Sequence, residues 1–415
     1  MRPNEIKVLW KKFIVLLGIV GPGLITANID NDAGGIATYS LAGAQTGYRL
    51  LWVLIPITFA LIMVQEMSAR MGVVSGKGLA DLIREKFGLK ITFYTLVFLI
   101  FADLGNTMAE FAGIASAGEI FGVSKYISIP ISSILVWLLV AKGSYKSVER
   151  IFLVGCLVYI SYIVSGYIIS PEWVEIGKNI INPNFQSITS SDLPIIVGLL
   201  GTSITPWMQF YVQSAVVEKG ISTKHLWHTK VDVVVGCLSM LTVTIFIIIC
   251  CAATLHLSQV SISDAKDAAL ALKPLAGEYS SMLFGVGLFN ASFFAAVLLP
   301  LATSYYVCEG MGWESGVDKD FKEAPHFFTI FTSLILISAA LILIPGINLF
   351  NILIWSQVAN GILIPIVLIY ILKLCNDPEV MGEYTNSKVF NIISYGIVFF
   401  MIVVNIAMVY FEFLV

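Results

Sequence analysis

Read from its N-terminus, the chain alternates long apolar runs with short polar connections. An apolar run of about 18 residues or more is long enough to cross a bilayer as a helix. Such windows lie near 13–42, 50–73, 91–121, 126–145, 149–170, 193–217, 229–257, 280–306, 327–345, 347–374 and 389–413. The pattern predicts an all-α membrane protein of eleven transmembrane helices in a single integral membrane domain over residues 1–415. The first window runs on into polar, Gly-rich sequence without a small-residue cleavage pattern, so it reads as a span and not as a signal peptide.

Two windows break the pattern. The first carries Asn28-Ile29-Asp30-Asn31-Asp32-Ala33-Gly34-Gly35 at mid-membrane depth, and the sixth carries Gly201-Thr202-Ser203-Ile204-Thr205-Pro206-Trp207. An unsatisfied backbone group in hydrocarbon costs several kcal/mol, so a span is not interrupted without reason. An aspartate at the bilayer centre adds about 2.5–3.5 kcal/mol and needs a compensating partner. Pro206 cannot donate a backbone hydrogen bond, and the polar run before it surrounds the freed carbonyls. The two broken spans open two sets of five, and discontinuous helices at matching positions of two halves point to a transporter site built on inverted repeats. The expected division is repeat one at about 13–170, repeat two at about 193–374 and an extra helix at about 389–413. Carbonyls freed at such breaks, with a carboxylate, make an oxygen-rich cation site.

Composition and charge narrow the class. Of 415 residues 58% are apolar and 12% charged, where a soluble domain carries about 25% charge. With mean hydropathy at +0.89, a soluble enzyme, a nucleic-acid binder and a disordered scaffold are excluded, and the lipid bilayer is the solvent. The net charge of −3 implies no charged partner. Of the 24 Lys and Arg, all but Arg49, Lys125, Lys178, Lys266 and Lys273 fall on the side that holds the N-terminus. The positive-inside bias then expects a cytoplasmic N-terminus and an outside C-terminus. The six cysteines lie in or beside apolar runs with no CxxC spacing, and read as free core thiols. The four histidines sit near predicted helix ends and give no function.

At this point the residues resemble the Nramp family of divalent-metal transporters. The likeness rests on Gly21-Pro22-Gly23 followed after eight residues by Asp32, on Ala42-Gly43-Ala44-Gln45, Gly47-Tyr48 and Leu51-Trp52, and on Ser68-Ala69-Arg70-Met71-Gly72 with Gly76-Lys77-Gly78-Leu79-Ala80. It returns at Asp103-Leu104, Gly201 to Pro206, Ser356-Gln357-Val358 with Pro365, and Met381-Gly382-Glu383. The resemblance implies a LeuT-type 5+5 inverted repeat with discontinuous first and sixth helices. It also implies a multi-pass protein of a prokaryotic plasma (inner) membrane, with no cofactor and no obligate protein partner.

The departures from the family pattern carry the substrate reading. The family's Asp-Pro-Gly-Asn is here Asp32-Ala33-Gly34-Gly35, which keeps the acidic ligand and puts Gly35 where the asparagine ligand would be. The family's Met-Pro-His is here Thr205-Pro206-Trp207, so a soft thioether gives way to a hard oxygen. The resemblance places a carbonyl ligand at Thr202 and a closing glutamine at Gln357. A wider, oxygen-lined site suits a partly hydrated Mg²⁺, which dehydrates reluctantly and is held by one or two carboxylates plus waters. This pattern resembles the Nramp-related magnesium transporters, with Mn²⁺ a second substrate. Asp30 is either a further ligand through water or a pathway-lining residue.

The resemblance also implies a dismantled proton route: Trp207 stands for its histidine, Asn106 for its glutamate, Asp103 remains, and the ninth window has no arginine. Glu66 and Glu110 lie at membrane depth and either line the route or pair across helices. The expected function is therefore Mg²⁺ transport by alternating access without proton coupling, the alternative being a proton-coupled Mn²⁺/Fe²⁺ transporter. An amino-acid transporter is disfavoured because Asp32 would repel a carboxylate substrate. An intramembrane enzyme is disfavoured because no nucleophile–base set lies at membrane depth.

Overall fold

The computed structural model describes residues 29, 31–142, 159–260, 262–317 and 319–413. The described residues are helical apart from turns and short connections. After the break at Asn31 and Asp32 comes α1 (Ala33–Thr46), then α2 (Leu54–Ser75), the short α3 (Leu79–Phe87), α4 (Leu89–Ile120), α5 (Lys125–Lys142) and α6 (Ile160–Ile169). The sixth window forms two helices, α7 (Leu193–Ser203) and α8 (Pro206–Glu218). They are followed by α9 (Leu226–Cys251), α10 (Ser280–Met311), α11 (Pro325–Ile342), α12 (Leu349–Cys375) and α13 (Lys388–Phe413). Eight helical stretches among the described residues are long and apolar enough to cross a membrane.

Burial separates the centre of the bundle from its rim. The most apolar window of α7–α8 is wholly buried, whereas 28% of the corresponding window in α13 is buried. A helix that is apolar all round belongs in a core or in lipid. Phe98 and Phe101 of α4 and Phe399 and Ile406 of α13 are exposed and supply the lipid-facing surface.

Without a hydrophobic drive between helices in lipid, close packing depends on small residues that let backbones approach. A Cβ built on Gly201 of α7 would overlap the Gln357 carbonyl of α12, and one on Gly361 of α12 would lie 2.5 Å from the Val197 carbonyl of α7. These two helices therefore cross in backbone contact. Gly361→Val is expected to destabilise the protein by about 1–3 kcal/mol through overpacking, read as a lowered midpoint of thermal unfolding. An unchanged midpoint would mean that the helices can separate at no cost. At the far end of α1, His256 Nδ1 lies 2.8 Å from the Ala44 carbonyl, tying α1 to the π-helical turn Ala252–His256 that finishes α9.

Candidate cation site

The site begins where the first span breaks. Asp32 is the N-cap of α1, with extended backbone, and its Oδ1 accepts a 2.6 Å hydrogen bond from the Gly35 N–H. An N-cap acid is favoured by the unsatisfied amides and positive dipole of a helix start. Gly35 thus contributes a backbone donor that fixes Asp32, and no side chain. Asn31 is held from the other side: Tyr159 donates to its carbonyl at 2.6 Å and the Thr244 hydroxyl to its Oδ1 at 3.4 Å. Asp30 lies outside the described residues.

α4 brings a second acid to the same place. Glu110 is fully buried, its Oε2 accepts from the Ala33 N–H at 3.4 Å, and its carboxyl lies within hydrogen-bonding reach of that of Asp32. Glu110 Oε1 finds no partner among the described residues. No Lys, Arg or His among the described residues forms an ion pair with either acid. Two ionised carboxylates are acceptors only, and in contact they repel unless a proton or a metal cation joins them. Sequence reading left Glu110 unassigned between lining and pairing. Its depth in the third window was the available signal, but the Ala33 amide from which it accepts lies 77 residues away.

The second break closes on the first through α12. Pro206, at the first position of α8, has no N–H to give the Thr202 carbonyl four residues earlier, and Thr202 is buried. Thr205 is buried in the extended link, and its Oγ1 has no hydrogen-bond partner among the described residues. Gln357 touches both broken spans: its side-chain amide lies against Gly34 of α1 and its backbone carbonyl against Gly201 of α7. The methionine of α8, Met208, is directed elsewhere, its sulfur accepting from Gln65 Nε2 at 2.7 Å. No group of three or more His, Cys, Asp or Glu suited to holding a metal occurs among the described residues. The donors on offer are two carboxylates, an amide, a hydroxyl and backbone carbonyls, a hard oxygen set.

The residues expected along a pathway separate into three environments. Asp103 accepts from Tyr306 at 2.5 Å, Thr303 at 2.7 Å and Asn106 at 3.1 Å, so it sits in a cage of donors with Asn106. Trp207 is buried, its ring 6.0 Å from that of Tyr211. Glu66, open in the sequence between lining the route and pairing across helices, pairs with Arg70 at 3.1 Å and Lys230 at 2.9 Å. Arg70 reaches back one turn along α2 to the acid, and Lys230 reaches across to it from near the start of α9. Cys237, Cys250, Cys251, Cys308 and Cys375 are buried and form no disulfide among the described residues, as expected, while Cys156 lies outside them.

A family model described as natural resistance-associated macrophage protein-like (Nramp) matches residues 23–411. Among solved structures, the chain is similar to the manganese transporter of Eremococcus coleocola crystallised with an aromatic bis-isothiourea substituted compound. That match has 20% identity and a TM-score of 0.76, covering 97% of this chain and 88% of that one. It is also similar to MhsT in complex with L-phenylalanine, with 15% identity and a TM-score of 0.60 over 95% of this chain and 97% of that one. A nucleobase-cation-symport-1 family transporter in a closed conformation matches with 14% identity and a TM-score of 0.58 over 94% and 90%. At these identities the likeness is one of fold: an all-helical transporter arrangement of the LeuT type with a broken first and sixth span.

Proposed function

The chain belongs to the Nramp family, a family of divalent-metal transporters and not of enzymes, and from that premise we propose that its substrate is partly hydrated Mg²⁺, with Mn²⁺ also accepted, carried by alternating access without a coupled proton. The observation that carries the reading is the buried Asp32–Glu110 pair, two carboxylates in contact with no basic partner among the described residues. A dication in or beside that pair balances both charges. Thr205, where the family resemblance places a thioether, offers a hydroxyl with no partner among the described residues, and Gly35 brings no side-chain ligand where the resemblance places an asparagine. Mg²⁺ keeps several waters and binds through one or two carboxylates, so this set favours it over an ion that sheds its shell for softer donors.

Uncoupled transport is supported by what surrounds Asp103. Its partners are neutral donors, Trp207 is packed against Tyr211, and α11 has no arginine. The energetics suffice: a dication crossing about 100 mV gains roughly 4.6 kcal/mol, from about 2.3 kcal/mol per charge, equivalent to about three decades of concentration. The distribution of Lys and Arg supports a cytoplasmic N-terminus and an outside C-terminus, and the reading places the protein in the plasma membrane of a prokaryote.

The protein reconstituted in liposomes with an inside-negative potential is expected to take up Mg²⁺ at millimolar concentration with no change in luminal pH. Luminal acidification that tracks Mn²⁺ uptake, with no Mg²⁺ flux, would establish the alternative of a proton-coupled Mn²⁺/Fe²⁺ carrier. Retention of Asp103 is the feature that favours that second reading.

A further inference from the structure

The cage around Asp103 does not end at Asn106. Asn106 Nδ2 donates both to Asp103 Oδ1 and to Asn360 Oδ1, each at 3.1 Å, and Asn360 Nδ2 returns a bond to Asn106 Oδ1 at 2.8 Å. Asn360 Nδ2 also donates to Gln357 Oε1 at 3.2 Å. All four side chains are buried. A carboxylate can only accept, so Asp103 fixes which end of the Asn106 amide faces it. That choice fixes the Asn360 amide, and Asn360 in turn claims the oxygen of Gln357. Gln357 Nε2 is the end left facing Gly34, two residues from Asp32.

A cation is bound by an amide oxygen and repelled by the amide N–H₂. We propose that Asp103, Asn106 and Asn360 form a lock that holds Gln357 with its nitrogen toward the ion site, and that Gln357 coordinates the ion only after its amide turns and releases Asn360. Asp103, Asn106 and Asn360 are then positioning residues, and Asp103 has a task that requires no proton transfer. The lock spans α4, α10 and α12, since Thr303 and Tyr306 of α10 anchor Asp103. Ion capture is thereby coupled to the contact between α12 and the two broken spans. The inference rests on the reading of Asp32 and Gln357 as ion ligands.

The test is a binding cycle on the purified full chain, with Mg²⁺ as the titrant in calorimetry. Asn360→Ala frees the Gln357 oxygen and is expected to tighten Mg²⁺ binding about fivefold, the worth of one competing neutral hydrogen bond. Gln357→Ala is expected to weaken binding, and adding Asn360→Ala to it is expected to change nothing more, because the lock has lost what it holds. Asp103→Asn, which can donate as well as accept, should follow Asn360→Ala in sign and in its silence beside Gln357→Ala, and it serves where Asn360→Ala does not fold. Equal effects of Asn360→Ala with and without Gln357, or weaker binding in the single variant, would overturn the lock. Binding unchanged by Gln357→Ala but lost in Asp32→Asn would overturn the lock and the reading of Gln357 as a ligand, and leave Asp32 as the carboxylate that holds the ion. Binding unchanged in Asp32→Asn as well would overturn the lock and the site reading together.

Discussion

Asp32→Ala is expected to weaken Mg²⁺ binding by about 100-fold or more and to abolish uptake, while the protein still folds. Removing one partner of a buried charge interaction costs about 3–5 kcal/mol, and each 1.4 kcal/mol is about tenfold. Stability without ion should change little, because two effects oppose. The variant loses the N-cap bond to Gly35, worth about 1 kcal/mol, and it also removes one of two carboxylates buried in contact. The readout that separates site from scaffold is therefore the rise in unfolding temperature on adding Mg²⁺, which grows with the logarithm of ligand over Kd. Wild type should show it and Asp32→Ala should not. Asp32→Asn keeps an acceptor for Gly35 and loses the charge, so it should fail in the same way. Glu110→Gln keeps an acceptor for the Ala33 amide and should also lose most of the shift. Wild-type Mg²⁺ binding in Glu110→Gln would remove the carboxylate pair from the site.

The helices were legible in the sequence because a bilayer imposes one length scale on every span. Each window from the second to the eleventh holds a helix among the described residues, and the break at Thr205-Pro206 falls where the proline denies the helix a donor. The short helices Leu79–Phe87 and Trp173–Ile181 were not legible, since nine mixed residues do not make a span and their apolar faces are known only once the bundle exists to receive them. The site divides in the same way. Asp32 stood out because a mid-membrane acid needs a reason. Glu110 carries the same signal, but only the packing of α4 against α1 shows that it meets Asp32 and not a base. Glu66 shows the converse: it also reads as an acid at depth, and Arg70 and Lys230 reach it from the ends of α2 and α9. Depth can be read from sequence. Pairing depends on which helix faces lie together, and that is a property of the packed bundle.

Returning the two departures at the breaks to the family pattern is expected to reverse the ion preference. In Gly35→Asn with Thr205→Met, the first change adds an amide oxygen beside Asp32 and the second replaces an unpartnered hydroxyl with a thioether. Both put side-chain atoms where the proposed site keeps waters on the ion. A Mg²⁺ ion that must shed water to fit gains no soft-donor compensation, whereas Mn²⁺ dehydrates more readily and tolerates sulfur. The preference for Mn²⁺ over Mg²⁺, measured as the Mg²⁺ concentration needed to halve Mn²⁺ uptake, should rise by about tenfold or more, equivalent to about 1.4 kcal/mol of discrimination. Thr205 is buried, so the larger methionine side chain is expected to cost about 1–3 kcal/mol of stability, and its flexibility keeps that cost toward the lower end. The single variants separate the contributions: Gly35→Asn acts by excluding water and should weaken Mg²⁺ with little gain for Mn²⁺, while Thr205→Met should strengthen Mn²⁺. A folded double variant that transports Mg²⁺ as the wild type does would refute the hard, hydrated site, because selectivity would then be set by neither the volume at Gly35 nor the donor at Thr205.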